Sequence, residues 1–224
     1  MNLNERLSEV DNILTELRLQ AVVDSGTLLG LIRDGDVIPF DNDLDLAAMN
    51  WSESDISRVT RRLQDSGFVT SHTLFGGKRT ALYGWRRGDP LHVNFFLFSS
   101  KAHGFFWKFG WVSTEKNQRL SPPTRSLRHS LRRIVRSRRH NQSWQSFASS
   151  IDRLWLLNPR THRALGLWAV PQQYFTQLKP LDGLSALKMP AAVEEYLKYC
   201  YGEDWRTPSR SWNSWLQDGR VVRP

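Results

Sequence analysis

The sequence predicts an α+β fold: a mixed β-sheet with helices packed on it, followed by a helical C-terminal part. Three observations carry this. Leu3, Leu7, Val10, Leu14 and Leu17 form one apolar stripe at spacings of three and four, the mark of an amphipathic helix. Ser52 and Asp55, three residues apart, resemble a capping box at the start of a second helix. Short apolar runs bounded by glycine and proline turns then read as strands.

Taken in order, the helix over 3–18 leads into an apolar run at 19–23 that reads as a strand. Residues 26–32 look like a turn entering a short helix, and Asp34-Gly35-Asp36 is a turn signal. A strand over 44–49 precedes the helix of 52–65, which Gly67 stops. Three strand-like stretches follow at 68–75, 80–85 and 91–98, separated by Gly76-Gly77 and Gly88-Asp89-Pro90. Pro122-Pro123 marks a boundary, residues 143–157 read as a helix, and a last helix over 191–201 ends at Gly202. The expected segments are a core over 1–121, a basic stretch over 122–142 and a C-terminal part over 143–224.

Composition narrows the function. At 224 residues, 40% apolar and 24% charged, the chain can bury a core without staples. The single cysteine, Cys200, excludes an intramolecular disulfide and a cysteine-based zinc site; it reads as a buried thiol near a helix end. The N-terminal residues lack the charged and apolar regions of a leader, and no apolar run reaches the ~18 residues of a membrane span. The expectation is a cytoplasmic protein, at most peripheral on the inner membrane face. The net charge of +9 is uneven. Residues 125–139 hold seven Arg and no acid, and the rest of the chain, nine minus seven, carries only +2.

The acids of greatest interest are Asp41, Asp43 and Asp45, at alternate positions. On a strand, residues i and i+2 share a face, so Asp43 and Asp45 project together while Leu44 and Leu46 point into the core. Two adjacent carboxylates repel unless a cation lies between them, and Mg²⁺ or Mn²⁺ suits carboxylate and phosphate oxygens. A bare Asp-x-Asp is also found in solvated loops and in sugar-nucleotide-dependent glycosyltransferases. Here it follows an apolar strand and the small-residue turn Ser25-Gly26-Thr27, whose backbone N–H groups can face a phosphate at a helix N-terminus.

The stretch from Gly26 to Asp45 resembles the LicD/fukutin family. It holds Gly-Thr-Leu-Leu-Gly at 26–30, then Arg33, then Ile38-Pro39-Phe40, then Asp41, Asp43 and Asp45. A second match lies in EEYLKYCYGEDWRTP, residues 194–208, approached by the proline-bearing stretch 171–190. The resemblance implies a nucleotidyltransferase-like fold and a transferase of phosphorus-containing groups. Such an enzyme moves phosphocholine, ribitol phosphate or a similar phospho-alcohol from a CDP-linked donor to a sugar hydroxyl of a surface polysaccharide such as capsule or lipopolysaccharide. It further implies that Asp43 and Asp45 hold the metal, that Asp41 supports them or positions the acceptor, and that Arg33 pairs with a carboxylate or a donor phosphate. The family usually carries a further Asp in a His-apolar-Asp-apolar-Phe pattern; here the stretch is His92-Val93-Asn94-Phe95-Phe96. Asn94 offers an amide oxygen without charge, which implies weaker metal binding, one metal instead of two, or lost activity. Residue 34, often His in relatives, is Asp.

Leu127, Leu131, Ile134 and Val135 fall at helical spacing within the Arg block. The segment reads as a solvated helix packed by these four, as a helix on an anionic membrane bearing a lipid-linked acceptor, or, least favoured, as a nucleic-acid contact. Trp107 and Trp111 read as packing residues before stacking platforms for a sugar or choline, Trp205 as structural, and His92 as a core histidine before one that faces the site beside Asn94. The alternatives to the phosphotransferase are an inactive nucleotide- or glycan-binding module on the same fold, a nucleotidyltransferase, and a nucleic-acid-binding protein.

Overall fold

The computed structural model describes residues 2–39, 41–75, 78–101, 104–109, 166–209, 212 and 217–221. Helix α1 (Leu3–Glu16) opens on a capping box in which Asn2 accepts from Glu5 N and Glu5 accepts from Asn2 N. Its stripe of Leu3, Leu7, Val10 and Leu14 is buried as the spacing predicts. Strand β1 (Ala21–Val23) is wholly buried, and helix α2 (Ser25–Arg33) follows at once. Strand β2 (Asp43–Met49) precedes α3 (Glu53–Asp65). Ser52 caps α3 with the reciprocal Asp55 bond, and Gly67, at φ +85°, ends it. A hairpin of β3 (Val69–Phe75) and β4 (Lys78–Trp85) leads to β5 (His92–Lys101) and β6 (Gly104–Phe109).

The C-terminal part supplies the predicted helix as α5 (Val193–Tyr201), which ends at Gly202 with φ +88°. It also supplies elements the sequence does not announce: β7 (Gly166–Pro171), the short α4 (Gln172–Thr176), β8 (Leu178–Pro180) and β9 (Leu187–Pro190). The nine strands among the described residues form one sheet in the order β3-β4-β5-β2-β1-β9-β8, with β6 bridging β5 and β7. The sheet is mixed, because β2–β5 and β1–β9 run parallel while β1–β2 and β4–β5 run antiparallel. The fold is therefore α+β, as predicted. The helix read at 143–157, the boundary at Pro122-Pro123, the Arg block and Trp111 lie outside the described residues.

Two polar contacts tie distant segments together. Asp11 of α1 accepts backbone N–H bonds from Ser185, Ala186 and Leu187, at 3.1, 2.7 and 2.8 Å, as the chain enters β9. One carboxylate thereby satisfies three backbone donors, of which those of Ala186 and Leu187 are buried and would be costly unpaired. Trp107 lies in the core against Phe96 and Trp168 and donates its indole N–H to Thr80 O at 2.7 Å. It is a packing residue. Trp205 is buried too. No helix among the described residues is long and apolar enough to cross a membrane.

Candidate functional site

Strand β2 realises the alternation of its sequence. Leu44 and Leu46 are fully buried, while Asp43 and Asp45 are partly exposed on the opposite face. The neighbour on one side is β1, whose end delivers the chain into α2. The neighbour on the other is β5, in a parallel register that sets His92 beside Asp43 and Asn94 beside Asp45.

The first turn of α2 is fastened to these acids. Thr27 Oγ1 donates to Asp43 O at 3.1 Å and accepts from Asp45 N at 2.8 Å. The hydroxyl sits between the backbones of the two acids and fixes the strand that bears them. Gly26 lies against Asp41: a Cβ at this position would stand 2.5 Å from Asp41 Oδ2, closer than atoms tolerate. Glycine here lets the Asp41 carboxylate approach the head of the helix. Asp41 Oδ1 in turn accepts from Asp43 N at 3.3 Å. Ser25, at φ +52°, holds the left-handed turn into the helix. Of the turn residues expected to face a substrate, Ser25 and Thr27 are buried and already hydrogen-bonded within the protein.

The electrostatics are those of an under-compensated acid cluster. Asp45 is pushed up to about 7, first by burial and then by the charges of Asp43, Asp41 and Asp24, with the Asn94 hydrogen bond working against the rise. Burial also raises Asp41; bonds from the Asp43 and Asn42 backbone restrain it and the Asp43 charge adds to it. Asn94 Nδ2 donates to Asp45 Oδ1 at 3.0 Å. His92 is not a core histidine. Its side chain is 41% exposed and Nδ1 stands 3.9 Å from Asp43 Oδ1, because strand alternation from Asn94 returns it to the same face. That i, i+2 relation was readable from the sequence and is the signal that would have placed it.

Arg33 takes the first of its two expected partners. Its Nε and Nη2 meet both oxygens of Asp34, at 2.8 and 2.6 Å, and this pairing raises the guanidinium pKa and lowers that of Asp34. Cys200 is buried on α5, and burial drives its thiol pKa well up.

Beneath α2 lies a network that sequence reasoning missed. Asp24, the N-cap of α2, is fully buried and accepts from Tyr196 OH at 2.7 Å and from Arg220 Nη1 at 2.8 and 2.7 Å. Arg220 also grips Asp218 with Nε and Nη2, at 2.9 and 2.6 Å. Burial alone would lower the pKa of this guanidinium, but Asp24, Tyr196, Cys200 and Asp218 outweigh it and hold the pKa well above the ordinary value. An Asp ahead of Ser-Gly-Thr is a recognisable N-cap signal; nothing local marks Arg220 as its partner.

The donor chemistry fits a hard divalent cation. Two carboxylates share one face, Asp45 is raised first by burial and then by the neighbouring charges, and a cation between the pair would relieve their repulsion. The set is small: among the described residues, no three His, Cys, Asp or Glu side chains converge. Asp43 and Asp45 would be the protein's ligands, with remaining positions left to substrate oxygens and water.

A profile of LicD/FKTN/FKRP, described as the nucleotidyltransferase domain, matches residues 18–135, a range that holds Asp41, Asp43, Asp45 and Asn94. An uncharacterized protein of Rickettsia prowazekii (strain Madrid E) is 29% identical over 72 residues, 32% of this chain and 27% of its own length. One of Rickettsia typhi (strain ATCC VR-144 / Wilmington) is 29% identical over 72 residues, 32% of this chain and 23% of its own. The chain thus matches about a quarter of the length of these curated relatives.

Proposed function

The chain belongs to the LicD/FKTN/FKRP family, and on that premise we propose that it is a glycan-modifying phosphotransferase, moving a phospho-alcohol from a CDP-linked donor to a sugar hydroxyl. The observation that carries the reading is the pairing of Asp43 and Asp45 on one face of β2, locked by Thr27 to the first turn of α2. In the proposed step the acceptor oxygen bonds to the phosphorus of the phospho-alcohol. The bond from that phosphorus to the CMP oxygen breaks, CMP leaves with the electron pair, and the hydroxyl proton is lost to solvent.

A Mg²⁺ or Mn²⁺ bound by Asp43 and Asp45 would neutralise charge on the donor diphosphate and the leaving CMP. The protein's own residues do the positioning. Asp41, held at the head of α2, orients the acceptor. Asn94 and Thr27 fix the Asp45 side chain and backbone. His92 stands beside Asp43 on the same face. Arg33, ion-paired with Asp34 at the end of α2, is the arginine that would meet a donor phosphate.

The acceptor belongs to a surface glycan, lipid-linked where the protein works at the inner face of a membrane. The test is thermal shift and CMP release with CDP-choline, CDP-ribitol, CDP-glycerol and nucleoside triphosphates, with Mg²⁺ or Mn²⁺, beside Asp43→Asn. Metal-dependent stabilisation by one CDP-alcohol, lost in the variant, with CMP released when glycan is added, is expected. Pyrophosphate release from a nucleoside triphosphate would instead indicate nucleotidyl transfer. Binding without turnover would indicate an inactive module, the second reading, which the neutral Asn94 beside Asp45 favours.

A further inference from the structure

We propose that Arg220 is a positioning residue for the carboxylate site: from the C-terminal segment it fixes the Ser25 turn on which Asp41, Asp43 and Asp45 depend. That the turn serves catalysis rests on the phosphotransferase reading; the mechanical coupling does not.

The argument begins with Ser25. A non-glycine residue at φ +52° lies in the left-handed region that L side chains rarely adopt, so surrounding contacts must hold it. They are few and specific. Ser25 N donates to Asp24 Oδ1 at 2.7 Å, Arg220 Nη2 donates to Ser25 Oγ at 3.2 Å, and Arg220 Nη1 bonds both Asp24 oxygens. Arg220 is held in its turn. Asp218 takes two of its N–H groups, Tyr196 OH lies 3.2 Å from Nη1, and the guanidinium plane rests 3.8 Å from the Trp168 ring centroid. The side chain is 1% exposed, so the fork has no alternative partner in water.

The consequence reaches the acids within two residues. Gly26, next to Ser25, is in close approach with Asp41, and Thr27 joins Asp43 O to Asp45 N. Asp24 N also donates to Asp45 O at 3.0 Å. Rotation of the Ser25 turn would therefore displace the contacts through Asp24 N, Gly26 and Thr27 that reach the three acids. Lysine cannot substitute, since one ammonium lacks the planar fork that reaches Asp24, Ser25 and Asp218 together. The family match ends at residue 135, so this support lies outside the matched region.

The experiment is hydrogen exchange by mass spectrometry on the full chain, wild type against Arg220→Lys, with Mn²⁺ affinity measured in parallel. The expected result is exchange at least tenfold faster in peptides covering 24–28 and 41–46, exchange within twofold over β3 and β4, and Mn²⁺ affinity reduced at least fivefold. Uniform acceleration across the chain, or none at 24–46, overturns the proposal. If Arg220→Lys does not fold, Ser25→Ala, which removes only the Oγ contact, is read in its place: local acceleration at 24–28 supports the coupling and an unchanged pattern overturns it. Where wild type binds no Mn²⁺ but the exchange pattern holds, the coupling stands and the metal reading falls.

Discussion

Asn94 Nδ2 donates to Asp45 Oδ1 at 3.0 Å, so the residue set opposite Asp45 on β5 is a hydrogen-bond donor to that carboxylate. A carboxylate there would add a further negative charge beside Asp45, which already sits near 7. The amide relieves that charge and holds the Asp45 side chain.

Stability should fall with rising pH through Asp45. Its folded pKa of about 7 lies above the ordinary 3.8. The folded chain therefore binds an extra proton between those values, and this contribution is fully present below about pH 4 and lost as pH passes 7. In EDTA, Asp45→Asn should be more stable than wild type at pH 8, by roughly 1–2 kcal/mol after allowance for partial exposure, with little difference at pH 4. Urea unfolding at both pH values measures it. Added Mn²⁺ should reverse the order at pH 8, because only wild type gains stability by binding.

Gly26→Ala should misplace Asp41. The new methyl would stand 2.5 Å from Asp41 Oδ2, and relief by shifting α2 or the 41–43 segment costs about 1–3 kcal/mol. A lowered Tm together with weakened Mn²⁺ binding is the expected pair of results. A Tm loss with unaltered Mn²⁺ affinity would mean that Asp41 does not influence the pair.

Thr27→Val should cost about 1–3 kcal/mol, since the near-isosteric side chain leaves Asp45 N and Asp43 O without their partner. Thr27→Ser keeps the hydroxyl and should recover most of the loss. Denaturant midpoints of the three proteins decide it.

Cys200 should resist thiol reagents in the folded chain. It is buried and its thiol pKa is driven well up by burial, which suppresses the reactive thiolate. Ellman's reagent should label it only as fast as the protein unfolds.

The parts legible in the sequence are those written in local periods. The α1 stripe, the Ser52–Asp55 cap and the acid alternation of β2 each repeat within a few residues, and each is found in place. What was not legible depends on partners far along the chain. Strands of three and four residues such as β8 and β9 carry too little pattern to be recognised; they exist because β1 offers β9 an edge and β9 offers one to β8. Arg220 looks like any late arginine until Asp24 is set beside it. His92, two residues from Asn94, was placeable on the acid face from the alternation of β5, and Trp107, read as a packing residue, lies against Phe96 and Trp168.

The position of β1 bears on synthesis. It pairs with β2 soon after emerging, but its other neighbour is β9, with Ala21 opposite Leu187. At ordinary elongation rates roughly 10–30 s separate these segments at the ribosome exit. Throughout that interval a fully apolar strand presents a bare edge, the kind of surface that invites pairing with another chain. Nascent chains stalled before residue 187 should accordingly recruit chaperones, and those stalled after β9 has emerged should shed them.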